Sequence, residues 1–321
     1  MSKTEISKEN NQKQNVTHWV GKQSAILSII EMGLGGLLHG LKIPFTGYFL
    51  SLNQSFILSR TSLKLGEIDL PSARLAPASV SNITAILKSL SPAGKKLTPM
   101  LAISAQGWLF TVGTYLFGPR FLGVMTGSVL LSLWGFLQPV LIYYLLFGET
   151  ILYVGEYFYE KLNRVLEFDQ QQLLITLAVI ISVKVLFAVL VAFTACFISE
   201  EKVNHYQDKL IDLGKKRKNA KALSQEHSSL KYRSKAMLAL KDLMNPLFLF
   251  SLVLTFLFFI FVQASLSQTI WALLRPIAVG FILFYLIRWI SFDKMICYLS
   301  KTRFERFSRS FQTAIQTLKE F

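Results

Sequence analysis

The stretch that decides the fold class is LLITLAVIISVKVLFAVLVAFTACFI, Leu173–Ile198, in which Lys184 is the only charged residue. It exceeds the roughly 20 apolar residues that an α-helix needs to cross hydrocarbon. Comparable runs occupy Phe121–Phe147 and Leu247–Ser265. Hydrophobic residues make up 52% of the chain and charged residues 17%, below the roughly 25% that is typical of soluble domains. The sequence therefore predicts an all-α integral membrane protein with several spans.

Hydropathy and breaker residues divide the chain into a polar tail, a membrane core, a basic segment, a hairpin and a second tail. The tail at 1–22 is predicted to be disordered, and the core at 23–198 to hold six spans. A basic helical segment at 199–245, a two-span hairpin at 246–291 and a basic tail at 292–321 follow. The eight predicted spans are Ser24–Leu41, Ile43–Ser59, Pro77–Leu90, Pro99–Phe117, Phe121–Phe147, Gln172–Ile198, Pro246–Ala264 and Gln268–Ile290.

The positive charge of the chain, +15 overall, is interpreted as a topology signal rather than as a nucleic-acid surface. Lys and Arg accumulate in cytoplasmic loops, and they are densest at 199–245 and in the tail at 292–321. Counting six spans back from the basic segment places the N-terminus inside as well. The acidic segment 149–171 then falls outside, where its roughly helical apolar spacing favours an interfacial helix. We expect both termini to be cytoplasmic.

Sequence motifs for nucleotide binding and hydrolysis are missing from the chain. It has no G-x-x-x-x-G-K-[ST], no H-E-x-x-H and no G-x-S-x-G. His39, His205 and His227 are far apart, and Cys196 and Cys297 have no metal or disulfide spacing. We therefore expect a protein that is not an enzyme, with no catalytic residue, metal or cofactor, whose surroundings are the lipid bilayer rather than nucleic acid.

Polar residues inside the predicted spans are the candidates for function, because such residues are costly and usually face the protein interior or a cavity. The amides have an alternative role as interhelical hydrogen bonds. For the two charges at mid-depth, the alternative is a buried ion pair between Glu31 and Lys184. The full set is Glu31 and Lys184 near the middle, Asn53 and Gln54 in the second span, and His39, Lys42, Gln106, Trp108, Trp134 and Gln138 nearer the outer side.

Two pairs of glycines are spaced four residues apart, Gly36 with Gly40 and Gly123 with Gly127. Small residues at this spacing let helix backbones approach closely. They predict either packing within the bundle or a contact surface for another membrane subunit.

Two stretches carry a resemblance to a known family. A first helix rich in small residues leads into IPFTGYFLSLNQSFIL, Ile43–Leu58, and a tight turn opens FGPRFLGVMTGSVLLSLWGF, Phe117–Phe136. Over about Ser24–Ile198 the chain resembles the substrate-binding S-components of energy-coupling factor (ECF) vitamin transporters. Members of that family usually end after six spans, so Ser199–Phe321 is an addition.

The resemblance implies a solute binder of the bacterial cytoplasmic membrane, taking a vitamin or related metabolite near the outer face. A membrane coupling subunit and ATPases would energise transport, with Gly36 and Gly40 in place of the family's small-residue contact motif. The implied binding residues are Lys42, Gln106, Trp108, Gln138 and Lys184. Two alternatives stay open: an ion-coupled secondary transporter that uses Glu31 and Lys184, and a scaffold that recruits a partner or lipid through 199–245.

Overall fold

The computed structural model describes residues 3–40, 46–88, 97–149, 170–203, 266–289 and 305–320, with scattered single positions between 153 and 260. Within these ranges the chain forms helices and no strand, which confirms the predicted all-α fold. The helices are α1 (Lys3–Gly40), α2 (Thr46–Ile68), α3 (Leu70–Lys88), α4 (Leu97–Phe117), α5 (Phe121–Phe147), α6 (Gln170–Phe197), α7 (Leu266–Trp289) and α8 (Glu305–Glu320).

Three of these helices are long and apolar enough to cross a membrane: α4 over Thr98–Phe117, α5 over Phe121–Leu145 and α6 over Gln171–Phe197. Helix α7 contains a shorter apolar stretch, Thr269–Ile282. Four predicted spans, the first, second, third and eighth, coincide with helices that are not long and apolar enough to count as candidate spans. The seventh predicted span lies largely outside the described residues. The count of eight spans stays a prediction.

The chain divides into two compact units. The first holds residues 1–135, 179–226 and 296–321, and in it α3 packs against α1, α2 and α4, while α8 packs against α1. The second holds residues 136–178 and 227–295. There α5 ends at Phe147, and the next residue, Gly148, has a φ of +63° that suits glycine. The Arg275 side chain occupies the space that a Cβ on Gly148 would need.

The first unit encloses many polar side chains beside its apolar core, while the apolar helix α6 is largely exposed. Hydroxyl groups fill the contacts of α3: the Thr84 hydroxyl donates to the Ser24 carbonyl at 3.2 Å, and the Ala78 amide donates to the Thr111 hydroxyl at 2.9 Å. The Ala78 bond lies directly after Pro77, whose ring interrupts the helix ladder. By contrast, only 6% of the apolar stretch of α6 is buried. Polar groups thus lie at the helix contacts inside, and large apolar side chains of α6 lie outside.

Glycines allow the helices of this unit to approach closely. A Cβ on Gly107 of α4 would overlap the Ser81 side chain of α3, and a Cβ on Gly113 would overlap the backbone of Gly127 on α5. A Cβ on Gly127 would lie 2.8 Å from the Phe110 carbonyl oxygen, and one on Gly123 would overlap the Gly118 carbonyl. Gly123 and Gly127 therefore line the α4–α5 contact.

The N-terminal segment differs from the expectation of a disordered tail, because α1 is helical from Lys3. Its surface around Val16 and Val20 is buried by the apolar face of α8, which includes Phe311 and Ala314. A Cβ on Gly21 would lie 2.6 Å from the Thr313 Cβ, so the two helices touch at this glycine. Helix α8 is thus the packing partner that the polar N-terminal sequence needs, and not a simple basic tail.

A network of contacts gathers the charged ends of the helices. The Arg60 guanidinium of α2 donates to the carbonyls of Ala195 and Ile198 at 3.1 and 3.2 Å, which satisfies the last turn of α6. One turn further, Lys64 forms an ion pair with Glu200 at 2.8 Å. The accepting carboxylate of Glu200 raises the pKa of Lys64. The sequence predicts this end to be cytoplasmic.

Candidate functional site

Lys184 lies on the buried stripe of α6, which faces the other helices of the first unit. The stripe continues through Ala188, Ala192 and Ala195, which are fully buried, and their spacing of three and four residues keeps them on one helix face. Lys184 itself is half-buried, whereas its neighbours Val183 and Leu186 are exposed. The lysine therefore points toward the bundle, although most of the helix does not.

The Tyr48 ring and Gly135 are neighbours of the Lys184 ammonium, and the Phe187 ring packs against Tyr48. Its Nζ lies 5.5 Å from the centroid of the Tyr48 ring, a distance at which a cation is attracted to the ring face. The Phe187 ring meets the Tyr48 ring edge-on, with centroids 6.3 Å apart. A Cβ on Gly135 would overlap the Lys184 Nζ, so the ammonium occupies the space that the missing side chain leaves on α5.

Two hydrogen-bond donors, one on the ring that contacts this ammonium and one on the residue before Gly135, are buried without a partner in the described part of the chain. They are the Tyr48 hydroxyl and the Trp134 indole N–H, and Trp134 immediately precedes Gly135. Leaving a buried donor unsatisfied costs about 1–3 kcal/mol, so such groups require an explanation. We call Tyr48, Trp134, Gly135, Lys184 and Phe187 the Lys184 cluster.

The Lys184 cluster lies toward the end of the unit opposite the charged contacts. Helices α2 and α6 run in the same direction, since Tyr48 lies beside Lys184 and Phe187 while Arg60 lies beside Ala195 and Ile198. The twelve residues from Tyr48 to Arg60 span about 18 Å at 1.5 Å per residue. Tyr48 is also in the first turn of α2, which begins at Thr46.

The residues predicted for binding occupy different surroundings. Lys42 lies at 41–45, outside the described residues. Gln106 is buried in α4, but Trp108 is 53% exposed on the outer surface of the same helix, so these two do not converge. Gln138 is half-buried in the second unit. Only Lys184 belongs to the cluster.

Sequence reasoning missed Tyr48, which an apolar reading of the second span treats as an ordinary aromatic residue. The only available signal was its place six residues after Lys42, beside the turn of the quoted motif. Trp134 was among the polar candidates but not among the predicted binding residues.

The partner of Glu31 is Lys88, rather than Lys184 as one interpretation of the sequence had it. The Lys88 Nζ lies 3.7 Å from Glu31 Oε2 and also donates to the Glu31 carbonyl, and both side chains are almost fully buried. A Cβ on Gly35 would lie 3.1 Å from the Leu50 Cδ1 atom of α2 and in ordinary contact, at 3.5 Å, with the Lys88 Nζ. The direct packing of α3 against α1 explains this choice of partner.

The amides and the first pair of glycines have simpler roles. Gln54 donates to the Ser81 hydroxyl at 3.0 Å and to the Ile103 carbonyl at 2.9 Å, which makes it the interhelical bond considered for the amides. The Asn53 amide donates to the Phe49 carbonyl of its own helix. Gly36 and Gly40 lie within α1, but their surroundings are not among the described features.

No family model matches this chain, and the chain matches no curated protein and no solved structure. Within the described ranges, no three His, Cys, Asp or Glu side chains are grouped as metal ligands would be. Only the arrangement of the Lys184 cluster and of the Glu31–Lys88 pair therefore bears on function.

Proposed function

We propose that this chain is a multi-pass protein of the bacterial cytoplasmic membrane that binds a small solute and takes part in its transport. The observation that carries the proposal is the Lys184 cluster. It holds a lysine of the most apolar of the three candidate spans on the inward-facing stripe, against the ring of Tyr48, whose hydroxyl is buried without a partner. Ionisable residues within membrane spans are typically functional.

The distribution of side chains supports a membrane location. Large apolar residues are exposed along α6 and on the outer sides of α4 and α5, among them Leu116, Leu122 and Leu190. Exposed apolar surface on this scale is unfavourable in water and normal in lipid. Small and hydroxyl-bearing residues line the helix contacts, as in membrane bundles, where close backbone approach replaces a hydrophobic driving force.

Separate subunits would supply the energy for transport, as in the S-components that the chain resembles. The sequence itself has no P-loop with which to bind a nucleotide. The exposed apolar surfaces of α5 and α6 are compatible with lipid and with a membrane coupling subunit alike.

The test is to purify the full chain and its Lys184→Met variant from the same cells and to identify by mass spectrometry the small molecules that each releases on denaturation. Methionine keeps a long apolar side chain but removes the charge. We expect the wild-type protein to release a solute on denaturation and the variant to release at least about tenfold less of it. This corresponds to a loss of about 1.4 kcal/mol in binding free energy. Lys64→Met, which removes a lysine at the other end of α2, is the matched control and should retain the solute. Identical release from all three proteins would contradict the proposal.

The Glu31–Lys88 pair favours a second candidate, an ion-coupled secondary transporter, because two opposite charges are buried together between α1 and α3. Buried charge pairs of this kind serve as coupling sites in transporters. The two candidates differ in their source of energy. Uptake of the identified solute that survives ATP depletion but stops with a protonophore would favour ion coupling. Uptake that stops on ATP depletion, together with copurification of an ATPase, would favour the first candidate.

A further inference from the structure

We infer that the solute taken by the Lys184 cluster is an organic acid, whose carboxylate or other compact anionic group lies against the Lys184 ammonium. The inference rests on the proposed solute-binding function and names the chemical class of the ligand. It follows from the groups that α2, α5 and α6 carry here: the Lys184 ammonium against the Tyr48 ring, the Phe187 ring against Tyr48, and unpartnered donors on Tyr48 and on Trp134, the residue before Gly135.

The charge of the cluster is the first reason. The Lys184 Nζ is close to the Tyr48 ring face, and the missing side chain of Gly135 gives it room within α5. An anion there would form a charge-assisted hydrogen bond, which is roughly twice as strong as a neutral one. A cationic solute would be repelled at the same place, and in a low-dielectric surrounding that repulsion is large.

The unpartnered donors are the second reason. The Tyr48 hydroxyl can donate one hydrogen bond, and the Trp134 indole can only donate. Both are buried and lack an acceptor within the described residues. A carboxylate offers about four acceptor positions, enough to receive bonds from an ammonium and two donors, whereas an amine offers none when protonated.

The walls are the third reason. The edge-to-face pair of Tyr48 and Phe187 provides apolar surface beside the ammonium. A solute with an anionic head and an apolar body would therefore match both parts of the cluster, since binding sites combine apolar walls with a few placed polar groups. This composition distinguishes an organic acid from inorganic phosphate, which has no apolar body.

The experiment uses the full chain in lipid nanodiscs and a small-molecule extract of the cells that produce it. Ion exchange separates the extract into acidic, neutral and basic fractions, and each fraction is tested for its effect on the Tm of the protein. A ligand that binds only the folded state raises Tm, and the rise grows with the logarithm of the ligand concentration above Kd. We expect the acidic fraction to raise Tm and the neutral and basic fractions, and inorganic phosphate, to leave it unchanged.

Variants show whether the effect arises at the Lys184 cluster. Lys184→Met should need at least about tenfold more of the acidic fraction for the same rise in Tm, and Tyr48→Phe and Trp134→Phe each about three- to tenfold more, as expected for single hydrogen bonds. Lys64→Met should respond as wild type does. The Tm of each variant without extract shows that it is folded.

Each of the other outcomes overturns the inference. A response to the neutral or basic fraction alone would refute an anionic ligand while leaving solute binding in place. An acidic response that Lys184→Met shares unchanged would place the anion elsewhere. Absence of any response to the three fractions would contradict both the inference and the proposed function.

Discussion

Helices α3 and α6 are opposites in composition and in surroundings. Helix α3 is shorter than α6, rich in Ala and Ser and contains Pro77, and yet it packs against α1, α2 and α4 and contributes the fully buried Val80, Ile83 and Leu87. Helix α6 is the most apolar of the three candidate spans and is exposed along most of its length. The difference teaches that, under the proposed membrane location, hydropathy measures what a helix shows to lipid and not how deeply it is buried.

Matched serines give the largest expected contrast between the two helices. Ser81 of α3 is fully buried, accepts the Gln54 amide and fills the space above Gly107, whereas Ser182 of α6 is exposed. Ser81→Leu should lower the free energy of unfolding by roughly 4 kcal/mol, because it overpacks the α3–α4 contact and removes one of the two acceptors of the Gln54 amide. Ser182→Leu should leave it unchanged. Thermal unfolding in nanodiscs measures both, and equal losses would remove the contrast.

Helices α3 and α6 each carry one lysine, and removing it should lower the free energy of unfolding by different amounts. Lys88→Met leaves the Glu31 carboxylate buried without its partner, which should cost about 3 kcal/mol. Lys184→Met removes the contact with the Tyr48 ring and should cost about 1 kcal/mol.

The Glu31→Gln change combined with Lys88→Met is the control, because it removes both charges and should recover most of the lost stability. A double variant as unstable as Lys88→Met would show that the ion pair is not the cause. The same denaturation measurement decides this.

The third contrast uses threonine hydroxyls. Thr111 accepts the Ala78 amide next to Pro77, whereas Thr176 of α6 donates to the Gln172 carbonyl at an exposed position. Thr111→Val should cost about 1–2 kcal/mol, because it leaves a buried amide unsatisfied. Thr176→Val should change stability by less than about 0.5 kcal/mol. Similar values for both would mean that α3 does not depend on this bond.

The smallest expected effect concerns the ion pair that joins α2 to the end of α6. Lys64 and Glu200 are partly exposed, so Lys64→Met should cost about 0.5 kcal/mol. The Glu200 carboxylate raises the pKa of Lys64 above its ordinary 10.5. The pair therefore contributes fully below that value, and its contribution is lost as the pH rises through the raised pKa. The Tm difference between wild type and variant should vanish above this range, and a difference that grows with pH would contradict the assignment.

Sequence reasoning identified α6 well because its apolar run is uninterrupted except by Lys184, and lipid-facing helices carry this signal in every residue. It identified Lys184 for the same reason. It interpreted Pro77–Leu90 as a weak third span, which stays a prediction, and it could not see that Lys88, near the end of that segment, pairs with Glu31. The partner of a buried charge is set by which helices touch, and hydropathy does not report helix neighbours.

The N-terminal segment shows a second limit. Residues 1–22 have too few apolar side chains to form a core alone, so composition alone favours disorder. The structure instead places Val16 and Val20 against Phe311 of α8. The spacing of Phe307, Phe311, Ala314, Ile315 and Leu318 was the available signal, and it lay in a segment interpreted as a basic tail.

The central claim, that α6 faces lipid while α3 faces other helices, is tested most directly on the wild-type protein in a bilayer that contains a lipid-soluble photoactivated carbene reagent. Mass spectrometry of the peptides measures the labelling of each helix. The account predicts heavy labelling along Leu173–Leu190 of α6 and almost none at Val80–Leu87 of α3. Equal labelling of the two helices, or an unlabelled α6, would contradict it.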